Sequence, residues 1–154
     1  MDDQRGHTGD KHLYVSDGEL HSRVSGKDYS YSCPFGATRF YGGSDVDFIR
    51  TLKRVFYTRN NLAKLAAFLR KDEGETAISA KYPYPIGEGA FAGADEDKLY
   101  PVCGVRIVLR KHPVQWFRIH TAYPVPTDDD LVPVKADIMK YHPWVRVQPN
   151  GDTL

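Results

Sequence analysis

The chain has 154 residues, a formal net charge of +1 and 41% hydrophobic residues, which describes one folded domain with its own core and excludes an intrinsically disordered chain. No apolar run approaches the ~20 residues that span a bilayer, and the charged, polar first twelve residues are not those of a signal peptide. So small a net charge gives no general nucleic-acid signal.

Residues 5–13 predict a short helix. Ser16 followed by Glu19 has the spacing of a capping box, which starts a second helix over 17–24 that Gly26 ends. The stretch 27–43 is rich in Ser, Gly, Tyr and Pro and reads as loop, with a short extended piece at 37–41. Ser44 caps the next helix, with Asp45 and Asp47 in its electropositive first turn. Phe48, Leu52 and Val55 widen the apolar stripe set by Val46, Ile49 and Phe56. Asn60-Asn61 is expected to break this helix, and Leu62, Leu65, Phe68 and Leu69 carry another to about Lys71. The bases of 44–71 (Arg50, Lys53, Arg54, Arg59, Lys64, Arg70 and Lys71) face only Asp45 and Asp47. They form either a solvated helix face or a surface that attracts phosphates.

After Gly74 the pattern changes to strands. Residues 76–82 read as β, and the Pro/Gly-rich 83–93 as a long exposed loop. Residues 102–110 predict a strong strand, Lys111-His112-Pro113 a turn, and 114–123 the second strand of a hairpin. Helices followed by strands argue for an α+β fold with a mostly antiparallel sheet. From Pro124 onward Pro126, Pro133 and the acidic run 128–130 interrupt the chain, yet Leu131, Val134, Ile138 and Trp144 are apolar enough to pack. The expected organisation is a domain over 1–126 and an extension over 127–154 lying on it, its last residues loose. Cys33 and Cys103 make no metal-ligand spacing and no disulfide framework, although the sequence leaves a bond between them open.

One set of residues carries chemistry. Histidines supply a base that titrates near neutral pH, Arg23 a permanent cation, and Thr121 and Tyr123 two hydroxyls. On a strand Thr121 and Tyr123 share a face, roughly 7 Å apart, and Ala122 points the other way. His120 falls on the face opposite Thr121 and is set aside. An RNA phosphodiester is cleaved without metal when its own 2′-OH attacks phosphorus. That reaction needs a base for the 2′-OH proton, cationic and hydroxyl donors on the phosphorane oxygens, and an acid for the leaving 5′-oxygen. Tyr123, a water or His7 stand as alternatives for the acid.

Gly6-His7-Thr8, Lys11-His12, Leu20 and Arg23, eleven residues beyond His12, resemble the N-terminal motif of bacterial RNase A-like toxin domains. These domains form the C-termini of contact-dependent growth-inhibition and other polymorphic toxins. Further along, 37–40, 62–69, 104–110 and 119–124 are similar to the family's later elements, so the resemblance covers about 5–125 in order. It implies a kidney-shaped RNase A-like α+β fold and a metal-independent endoribonuclease with no cofactor. It assigns His12, Arg23, Thr121 and Tyr123 as catalytic, with His7, Thr38 and Tyr41 expected to bind substrate. The implied partners are RNA, tRNA among the candidates, and a cognate immunity protein. The implied setting is delivery as a monomeric part of a larger toxin into the target-cell cytoplasm. The sequence departs from the family at Leu13-Tyr14, in the Tyr/Ser-rich 24–36 stretch and in the tail after Pro126.

Two rival functions are weighed beside it. An NAD-consuming or ADP-ribosylating toxin requires an ordered Arg, Ser-x-Ser and Glu-x-Glu series, and the chain offers only Glu73-Gly74-Glu75. A non-catalytic RNA- or protein-binding module would use the aromatics Tyr29, Tyr31, Phe40 and Tyr41 to stack bases.

Overall fold

Ser16 opens the first helix as its spacing requires. In the computed structural model, which describes residues 12–29, 33–42 and 45–143, its hydroxyl accepts the Glu19 N–H at 3.2 Å. Helix α1 then runs Asp17–Val24, and Gly26, at φ +69°, turns the chain away. The expected helix over 5–13 and the Ser44 cap fall outside the described residues, apart from a helical turn at His12 and Leu13. Strand β1 follows at Gly36–Phe40, then α2 (Asp45–Phe56), α3 (Arg59–Arg70), β2 (Glu75–Lys81), β3 (Gly87–Phe91), β4 (Tyr100–Val102), β5 (Gly104–His112), β6 (Trp116–Val125) and α4 (Asp128–Tyr141). The molecule is α+β, with two three-stranded antiparallel sheets in the orders β1-β3-β4 and β2-β5-β6.

The break between α2 and α3 lies at Tyr57-Thr58, not at Asn60-Asn61. Thr58 is the N-cap and accepts the Asn61 N–H. Asn61 is buried, and its side-chain amide donates to Val55 O at 2.7 Å and Ser79 O at 2.9 Å. A residue type that usually interrupts helices here ties the helix pair to β2.

The largest departure from the sequence reading is at 87–91. The expected exposed loop is the central, largely buried strand of its sheet. Its glycines are what admit it. A Cβ on Gly87 would strike Arg39 O and come within 2.8 Å of Pro124 Cγ, and one on Gly89 would lie 2.8 Å from Thr38 Cγ2. Helix α1 covers one face of this sheet, where Leu20 and Val24 meet Ala90 and Ala92. Helix α4 covers the other, where Leu131, Val134 and Ile138 meet Phe91, Tyr100 and Val102. Full burial of a side chain such as Leu20 or Ile138 stabilises by about 1.5–3 kcal/mol. The single strand expected over 102–110 divides at Cys103, whose N–H leaves the ladder and donates to Asp130 Oδ2 at 2.8 Å. No disulfide joins Cys103 to Cys33.

The second sheet turns Ile78, Val105, Ile107, Leu109 and Ala122 inward against Leu52 and Val55 of α2 and Phe68 of α3. Its other face carries Arg106, Val108 and Arg110 of β5. The basic residues of α2 and α3 are exposed.

The acidic run 128–130 does not interrupt the tail; it starts α4. Thr127 and Asp130 form a reciprocal capping box, and three acids in the first turn match the helix dipole. Pro133 sits inside the helix, where it forfeits one backbone donor.

Two substitutions test these packing statements. Gly18 lies in α1 with nothing within 4 Å of a would-be Cβ. Gly18→Ala is therefore expected to raise stability by about 0.5 kcal/mol through the unfolded chain's lost freedom, read as a higher urea midpoint.

The second concerns acid. The Tyr100 hydroxyl donates to Asp137 Oδ2 at 2.6 Å and Lys98 Nζ lies 3.2 Å from the same oxygen. The Tyr100 bond, aided by Lys98 against the opposing effect of burial, holds Asp137 below the usual carboxylate range. Burial pushes Asp130 up, but N–H bonds from Thr127 and Cys103 outweigh it and hold it low. Depressed carboxylates stabilise the fold above their unfolded pKa, about 3.9, and lose that contribution as pH falls through their folded values. Docking of α4 is thus expected at full strength near pH 7 and to weaken below about pH 4. Asp137→Asn should shrink the difference between urea midpoints at pH 7 and pH 3.

Candidate active site

His12, Arg23 and Tyr123 line one cleft of about 640 Å³. His12 Nδ1 lies 3.0 Å from Thr38 O. A carbonyl can only accept, so Nδ1 carries the hydrogen, and in the neutral ring Nε2 is the basic nitrogen. The imidazole lies 5.4 Å from the Tyr123 ring, tilted by 32°.

Thr38 is the joint behind this arrangement. It is buried, and its hydroxyl donates to Pro124 O at 2.7 Å. Its carbonyl therefore holds His12 while its side chain holds the residue after Tyr123, fixing acceptor and ring relative to each other. Thr38, expected from the sequence to bind substrate, does line the cleft, and its hydroxyl is engaged with Pro124 O, so it also contributes position. Thr38→Val keeps the shape and the carbonyl but leaves Pro124 O without this donor. We expect a loss of about 1–3 kcal/mol of stability and a lower kcat, read by denaturation and RNA cleavage.

Arg23 sits in the last turn of α1, ion-paired with Glu19 one turn earlier. Leu20 and Val24, buried on the adjoining stripe, fix the helix against β3 and so fix where Arg23 stands. Lys27 also lines the cleft, its ammonium 5.7 Å from the Phe35 ring. Sequence reasoning missed both residues, since they lie in the stretch read as loop and no periodicity marks them. None of the described lining residues is acidic, so the cleft favours an anion.

Thr121 and Tyr123 share the outward face of β6, as alternation requires, and Ala122 between them is fully buried. Thr121 is half-buried and is not among the cleft-lining residues. His120 does not obey the alternation that put it opposite Thr121. Val108 pairs with Thr121 and Leu109 with Ile119, so His120 is the extra residue of a β-bulge where alternation fails.

Tyr41 is 43% exposed and opens into a different, smaller cleft with Phe48 and Tyr84. Burial, then the charge of Glu88, raises its pKa. The structure does not bring it to His12. His7 lies outside the described residues. The bases of α2 and α3 do not line the His12 cleft. Among the described residues no three His, Cys, Asp or Glu side chains cluster as a metal site, and no helix is long and apolar enough to cross a membrane.

A chain in the crystal structure of a CdiA-CT/CdiI complex from Y. kristensenii has a similar fold. The two share 24% identity and a TM-score of 0.62, covering 79% of this chain and 100% of that one. No protein-family model matches the chain, and no curated protein matches it. The likeness is one of fold, and it sits with the α+β architecture described above.

Proposed function

We propose that this chain is a metal-independent endoribonuclease, that it serves as the toxin domain of a contact-dependent growth-inhibition protein, and that a cognate immunity protein neutralises it. The observation that carries the catalytic half is the His12 geometry: a histidine whose Nδ1–H is held by Thr38 O, which makes Nε2 the basic nitrogen, beside Tyr123 in a cleft with Arg23. The fold shared with a chain of a CdiA-CT/CdiI complex supports the toxin half.

In this mechanism His12 Nε2 takes the proton of the 2′-OH. The 2′-oxygen bonds to phosphorus, the P–O5′ bond breaks, and a 2′,3′-cyclic phosphate and a 5′-hydroxyl result. Arg23 stabilises charge on the non-bridging oxygens, joined by Thr121, which does not line the cleft but shares the outward face of β6 with Tyr123 and meets the phosphate from there. The Tyr123 hydroxyl or a water protonates the departing 5′-oxygen. The chemistry supplies nucleophile and electrophile from the substrate itself, so the protein's task is placement and proton transfer.

Incubation of the purified protein with total RNA in EDTA tests this directly. Fragmentation at micromolar protein is the expected result. Tight RNA binding without turnover would instead make the chain a binding module, and NAD consumption with RNA intact would make it an NAD-directed toxin.

A further inference from the structure

The bulge at His120 changes which side chains share the outer face of β6. Simple alternation over 116–123 would put Trp116 and Arg118 on the face opposite Thr121 and Tyr123. The extra residue reverses this. Trp116 pairs with His112, Arg118 with Arg110, Thr121 with Val108 and Tyr123 with Arg106, and opposite residues in an antiparallel pair lie on one face. The inward partners agree, because Phe117 stacks on Phe56 and Ile119 packs on the core.

The outward row of β6 is thus Trp116, Arg118, Thr121, Tyr123, about 20 Å long at ~3.3 Å per residue. Arg106 and Arg110 flank it on β5, and Val108 lies between them. Arg110 pairs with Glu75 at 2.7 Å. Among the described residues Arg106 and Arg118 make no ion pair, although Arg118 stands directly opposite Arg110. Like charges in that position destabilise a sheet. Trp116 is 72% exposed and has φ +67°, a left-handed conformation that suits glycine. An exposed indole in a disfavoured conformation, beside guanidinium groups that make no ion pair among the described residues, buries little surface for the fold.

We propose that this row is a single-stranded RNA-binding track that leads the substrate into the His12 cleft, with Trp116 stacking a base and Arg118 and Arg106 contacting phosphates. The proposal rests on the ribonuclease reading above and extends it from a cleft to a groove that recognises several nucleotides.

The test uses the full chain and a fluorescein-labelled, single-stranded 2′-O-methyl oligonucleotide, which cannot undergo 2′-OH attack. Trp116→Gly is expected to melt at the same temperature as wild type or higher, since the backbone conformation suits glycine. It should nevertheless bind the oligonucleotide roughly 5- to 100-fold more weakly. Arg118→Gln should lower the slope of log affinity against log salt by about 0.7 for the lost phosphate contact. Both variants should cleave a dinucleotide as wild type does while losing kcat/KM on total RNA. Unchanged affinity and salt slope in both variants overturn the track and leave the face to a protein partner. Failure of the wild type to cleave either RNA would overturn the ribonuclease reading, a different outcome from cleavage that is normal in both variants.

Discussion

His12→Ala is expected to cut the rate of RNA cleavage by about 10²–10⁴-fold, the range over which a positioned general base acts, with the fold intact. His12 is half-buried in a short helical turn and belongs to none of the hydrophobic clusters that hold the sheets and helices together. Its loss removes, among its contacts, a ring from Tyr123 and a donor from Thr38 O, a part-buried bond that a water filling the vacated space would replace. The melting temperature should therefore move little while turnover collapses. Because Nδ1 is the protonated nitrogen, His12→Asn offers a sharper version: its amide can still donate to Thr38 O but supplies no base. A rate as low as that of His12→Ala assigns the loss to proton transfer; recovery toward wild type would assign it to position alone.

Gly87→Ala is expected to be strongly damaging, at about 3 kcal/mol, the upper range for overpacking. The new methyl meets the Arg39 carbonyl and lies 2.8 Å from Pro124 Cγ. Neither is the end of a flexible side chain, so no rotamer change relieves the contact; β1 or β6 must shift. Those are the strands that Thr38 joins and that carry the acceptor for His12 and the ring of Tyr123. Both a lower urea midpoint and a lower kcat are expected. Gly42→Ala, with nothing within 4 Å, serves as the comparison and should change neither.

The sequence made parts of this molecule legible where local chemistry decides structure. The Ser16 to Glu19 spacing located α1 because a hydroxyl cap acts over three residues and needs no tertiary partner. Thr121 and Tyr123 could be put on one face because strand alternation holds between them. The local capping box of Thr127 and Asp130 is masked by the acidic run; the other failures are tertiary. β3 is a buried central strand because neighbouring strands need residues without side chains there, and the same glycines in isolation look like a loop. Asn61 looks like a breaker until its amide is seen bonded to Val55 and Ser79. The His120 bulge is a property of pairing with β5, invisible to any reading of β6 alone. In the candidate site, resemblance and chemistry together picked out residues that the fold brings to one cleft: His12, Arg23 and Tyr123. The positions of Thr38 and Tyr41 depend on tertiary contacts that the sequence does not display. Thr38 spends its hydroxyl within the fold, and Tyr41 faces a separate cleft.

The central claim is that the substrate's own 2′-OH is the nucleophile and His12 its base. Mass spectrometry of the products from a defined RNA oligonucleotide, digested in EDTA, tests it most directly. The account predicts fragments ending in a 2′,3′-cyclic phosphate paired with fragments bearing a 5′-hydroxyl, and no cut where the nucleotide 5′ to the scissile bond is 2′-deoxy. Fragments with 5′-phosphate ends, or cleavage at the 2′-deoxy position, would contradict it.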